Sequence, residues 1–92
     1  MSNETEQISS ELLCCLNGNA EQKASILLKF LNEWWDRLGK SFYDMRTDEW
    51  AQHIENLTDK EIMTVFKYLI ENSYKYPSPQ DFSDESFNQK CV

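Results

Sequence analysis

Glu49 and His53 stand four residues apart, the spacing that brings two side chains onto one helical face, so they could form an acid–base pair. On a helix surface the same pair is an ordinary contact of about a few tenths of a kcal/mol. His53 also lies within a turn of Trp50 and Leu57, which sets it at the margin of a core. No nucleophile elbow, glycine-rich phosphate loop, H-E-x-x-H or Asp-rich cation loop accompanies the pair. Cys14 and Cys15 are adjacent and Cys91 is remote, with no C-x-x-C spacing, and the lone histidine falls on a different predicted helix. These thiols do not make a zinc set. A vicinal pair can sense redox state, but two adjacent helical cysteines read more simply as small core residues. No catalytic residue, metal site or cofactor is expected, and the chain is read as non-enzymatic.

The remaining chemistry is that of contact. Trp34 and Trp35 are neighbours, so on a helix they point about 100° apart and cannot both face one core surface. Either both are buried, one beneath the third and fourth helices and one beneath the first, or Trp35 is exposed as an anchor for a partner. Tyr74 and Tyr76 flank Pro77, and an extended, proline-stiffened aromatic segment loses little entropy on binding. It can equally serve as a strap from the fourth helix to the second. Phe42 and Tyr43 lie in a loop from Lys40 to Arg46, where apolar residues fold back as a lid. Trp35, Phe42, Tyr43, Tyr74, Tyr76, Pro77 and Phe82 are the candidate partner-binding residues.

Charge narrows the partner. Sixteen acids against nine bases give a net charge of −7, and neither half of the chain is basic. Phosphate backbones and anionic membranes bind through Lys and Arg, so direct nucleic acid or membrane binding is not expected. An acidic body suits a protein with a basic patch. No stretch approaches the roughly 18 apolar residues of a membrane span. The polar, acidic start from Met1 to Glu6 lacks the form of a secretion signal, so a cytoplasmic location is expected.

These residues must be positioned by helices. The chain has 92 residues, 40% apolar, with three Trp, four Tyr and five Phe but only two Gly and two Pro, too few turns for a sandwich or barrel. A single all-α domain over residues 1–92 is predicted, a compact bundle of about four helices with a short C-terminal helical turn. Residues 1–5 and about 84–92 are expected to fray. The first helix, about Glu6 to Leu16, places Ile8, Leu12, Cys15 and Leu16 on one face. Asn17-Gly18 ends it, and Asn19 with Gln22 forms a capping-box pattern that starts a second helix, Ala20 to Leu38. This helix carries a main stripe of Leu27, Phe30, Leu31, Trp34 and Leu38 and a second stripe of Leu28 and Trp35, as befits a central element. Thr47 caps a third helix, on which Trp50, Ile54 and Leu57 face inward. The capping box Thr58-Asp59-Lys60-Glu61 opens a fourth, about Asp59 to Asn72, with Ile62, Val65, Phe66 and Leu69 on its stripe. Ser78 then caps a short turn, with Pro79 at its first position and Phe82 held within it.

The order of these landmarks carries a resemblance. Trp34-Trp35-x-x-Leu38-Gly39, Phe42, the helix-opening Trp50, Leu57-Thr58 and Tyr76-Pro77-Ser78-Pro79-Gln80-Asp81-Phe82 together resemble the central domain of the replication protein P family of lambdoid phages. The likeness spans about Leu27 to Phe82 and rests on order, since each motif alone is weak. It implies a helicase loader, which binds the host's hexameric replicative helicase, opens its ring and delivers it to the phage origin by protein contacts. The matching positions are Trp34, Trp50, Leu57, Pro77 and Phe82, all of structural character. Family members are considerably longer, and a lone domain can dock on the ring without the reach to open it. The alternative is a small acidic inhibitor encoded by a phage or mobile element, anti-CRISPR-like, that blocks a nucleic-acid-handling host or defence complex. An assembly adaptor is the third class.

Overall fold

The computed structural model describes residues 3–39, 46–72 and 75–90, folded as α1 (Asn3–Cys15), α2 (Ala20–Arg37), α3 (Thr47–Ile54), α4 (Asp59–Asn72) and α5 (Pro79–Lys90). The described chain is all-α.

Local hydrogen bonding sets where most of these helices begin. At α2, Gln22 N donates to Asn19 Oδ1 at 2.9 Å and Asn19 N donates to Gln22 Oε1 at 2.8 Å. The preceding Gly18 has φ of +85°, a conformation that favours glycine, and a Cβ there would stand 2.0 Å from Gln22 Oε1. At α4, Glu61 N donates to Thr58 Oγ1 at 3.1 Å and Thr58 N to Glu61 Oε1 at 2.8 Å. At α5, Ser78 and Asp81 exchange the same two bonds, each at 3.1 Å, with Pro79 at the first helical position. At α3 the cap residue is Arg46 rather than Thr47, with no side-chain cap bond. Its first turn instead holds Asp48 and Glu49, which complement the helix dipole.

In packing, α2 lies mainly against α3 and α1 mainly against α4, while α5 touches both α3 and α4; α1 and α2 meet only lightly. Trp35, Trp50, Phe66 and Phe82 are the largest fully buried side chains, surrounded by Leu12, Leu27, Leu31, Ile54, Ile62 and Val65. Leu69 is also buried. Trp50 meets Phe82 edge-on, with centroids 5.6 Å apart, and joins α3 to α5.

Several predicted placements need correction. The buried face of α2 runs through Ala24, Leu27, Leu28, Leu31 and Trp35, not through Trp34 and Leu38. Packing against α3 selects that face, which leaves Phe30 and Trp34 half-buried on the flank and Leu38 51% exposed. On α1 and in the residue just after it the inward side chains are Ser9, Leu12 and Leu16, so Cys14 and Cys15 are exposed rather than core. Ser9 is accommodated there because its hydroxyl donates to Thr5 O at 2.7 Å. Leu57 packs half-buried against the core from the turn between α3 and α4, outside α3 itself. The C-terminal element is a helix of 12 residues, not a short turn. Pro79, Phe82 and Ser86 form its inner side, a stripe with one large apolar residue and hence little periodic signal.

Candidate functional site

Most of the predicted partner-binding residues that the structure describes serve the interior. Trp35 and Phe82 are fully buried and Pro77 is buried, so none of the three can be a surface anchor. Trp35 turns inward because it lies four residues after Leu31 on the face that α2 presents to the core. Tyr76 is half-buried, with its ring centroid 5.4 Å from that of Trp35 and its hydroxyl donating to Asn32 Oδ1. Residues 75–78 therefore strap the chain back onto α2. Phe42, Tyr43 and Tyr74 lie outside the described residues. Glu49, considered as a partner for His53, pairs instead with Arg46 at 3.1 Å.

The open apolar surface lies elsewhere, along the light contact between α1 and α2. Glu4 near the start of α1 is ion-paired with Arg37 at the end of α2, so the two helices run antiparallel. Between them, Ile8 and Glu11 from α1 and Phe30, Glu33, Trp34 and Arg37 from α2 line a cavity of about 130 Å³. A shallower, largely apolar depression continues past Phe30 to Gln7, Ser10, Cys14 and Cys15. Phe30 rests edge-on upon Phe66 of α4, at 6.2 Å between centroids and 90° between planes, which fixes the floor.

Trp34 is the most distinctive side chain of this groove. The Arg37 guanidinium sits 5.2 Å from its ring centroid, a cation–π contact held in place by Glu4. Its Nε1 is buried and has no hydrogen-bond acceptor among the described residues. A buried donor left without an acceptor costs about 1–3 kcal/mol, which the surrounding packing must offset. Glu11 and Glu33 line the same cavity with neither an ion pair nor a hydrogen bond among the described residues.

A second depression, of about 490 Å³, opens between the start of α2 and α3, where Glu21, Asp48 and Glu55 surround Ala20, Ala51 and Gln52. It is broad and acidic. Among the described residues no group of His, Cys, Asp or Glu is arranged to hold a metal ion, and no helix is long and apolar enough to cross a membrane.

Glu11, Glu33 and Arg37 were not singled out by sequence reasoning, and Ile8 entered it only as an apolar position on the first helix. Their signal was the spacing of Glu4, Ile8, Glu11 and Cys15 at i, i+4, i+7 and i+11, with Phe30, Trp34 and Arg37 facing them from α2. The groove can bury an apolar side chain between two helices and pair cations at its rim, which is the chemistry of docking. Comparison of the chain with protein-family models, curated proteins and solved structures returns no match.

Proposed function

We propose that this chain is a non-enzymatic protein-binding domain of the bacterial cytoplasm, phage-encoded, whose partner is the hexameric replicative helicase, as its resemblance to the replication protein P family implies. The observation that carries the reading is the division of labour among the aromatic residues. Of the five positions that carry the resemblance, Trp50 and Phe82 meet in the core, Pro77 is buried and Leu57 packs half-buried against the core, so four of them build a scaffold, and Trp34 is the exception. Phe30 and Trp34 remain on an open flank, where a scaffold of this kind would present its binding surface.

The test is direct. The full chain, mixed with purified replicative helicase, should co-elute with it in size-exclusion chromatography, and Phe30→Ala with Trp34→Ala should abolish co-elution while the helical circular dichroism persists. Absence of a complex at micromolar concentrations of both proteins would refute the helicase assignment. A second reading is favoured by the net charge of −7 and by the cleft of Glu21, Asp48 and Glu55: an acidic inhibitor of a nucleic-acid-handling complex. Such an inhibitor would compete with DNA for its target, whereas a loader would not.

A further inference from the structure

The α1–α2 groove has three properties that together describe its occupant. First, its walls are two antiparallel helices that touch lightly, with Ile8 and Cys15 on one side and Phe30 and Trp34 on the other at the spacing of a helix-packing seam. A third helix fits such a seam by laying its side chains between the rows, the helix-in-groove mode of recognition. Second, the rim is negative. Glu11 and Glu33 have no partner among the described residues, while Arg37, the one cation among the described residues that line the groove, is already engaged by Glu4 and by the ring of Trp34. Third, Phe30 and Trp34 are only half-buried and leave an apolar strip open along the seam.

A second copy of this chain would bring the same unpaired carboxylates against Glu11 and Glu33, and like charges brought together at an interface repel. We infer that the groove receives an amphipathic helix of a protein partner, with its apolar stripe seated on Phe30 and Trp34 and Lys or Arg residues flanking that stripe opposite Glu11 and Glu33. The inference rests on the protein-binding reading and specifies the partner's chemistry.

Two synthetic helical peptides with one leucine stripe, flanked by lysines in one and by glutamates in the other, serve as probes. Calorimetry at low ionic strength should give the lysine-flanked peptide at least about tenfold tighter binding, a preference that shrinks with added salt. The indole N–H resonance of Trp34 should shift on titration, while those of buried Trp35 and Trp50 move little. Glu11→Lys combined with Glu33→Lys, both at solvent-facing positions, should reverse the preference without changing the melting temperature. Equal affinity for the two peptides, no binding of either, an unmoved Trp34 resonance, or a Phe30-dependent dimer of the free chain would each overturn the inference. The two readings separate cleanly. A helicase that binds wild type and the double-lysine variant alike would sink the groove chemistry and leave protein binding standing. Binding of the lysine-flanked peptide without any binding of helicase would sink only the helicase assignment.

Discussion

Trp34 and Trp35 are chemically identical neighbours on one helix, and they belong to two different regions. Trp35 is fully buried in the seam of α2 with the Tyr76 strap, beside the α3–α5 joint made by Trp50 and Phe82. Trp34 lies in the groove between α1 and α2, half-buried, with a cation over its ring and an indole N–H that no described residue accepts. In the first region every large side chain meets another protein surface. In the second, the two helices stay far enough apart to leave space. The difference teaches that one turn of helix can supply both the stability of a small domain and its contact surface, because a 100° step separates one face from the other.

That contrast can be broken most forcefully in the seam. Trp35→Ala and Trp50→Ala should each cost about 3–5 kcal/mol, a loss visible as a large drop in melting temperature or as failure to fold. Little change in either variant would show that the seam is not the core. Next comes Gly18→Ala, expected to cost about 1–2 kcal/mol in denaturant titration, since it strains a positive-φ position and displaces the Gln22 side chain from its capping box. Thr58→Ala should cost about 1 kcal/mol by the same measurement, through loss of the cap at Glu61 N. An effect on stability no larger than that of the cap belongs to the groove. Trp34→Ala should lower stability by about 1 kcal/mol, because a half-exposed ring forfeits only part of its burial and its removal also relieves an unsatisfied donor. Its consequence should instead be seen in partner binding. If Trp34→Ala unfolds the chain as Trp35→Ala does, the distinction between the regions fails.

The parts of the fold that were legible in the sequence are those held by bonds spanning three or four residues. Asn19 with Gln22, Thr58 with Glu61 and Ser78 with Pro79 each mark a helix start, and the structure closes each cap as its residue types require. Thr47 shows the limit of that signal. A favourable residue type is no cap when Asp48 and Glu49 already complement the dipole and the helix begins one residue earlier. The candidate site was legible only in part. Phe30 and Trp34 were recognised as apolar positions and assigned to the core, whereas Trp35, Pro77 and Phe82 were considered for the surface and are buried.

Read alone, the sequence determined the all-α class, most helix boundaries, the acidic exterior and the aromatic supply, because composition and short-range hydrogen bonds are properties of the chain itself. Only the tertiary structure decided the rotation of each helix about its own axis. On α2, Leu27, Leu28, Phe30, Leu31, Trp34, Trp35 and Leu38 offer apolar surface over most of the circumference, so hydrophobic periodicity does not single out one inward face. The choice was made by α3 and the Tyr76 strap on one side and by the light contact with α1 on the other, through packing between residues far apart in the chain.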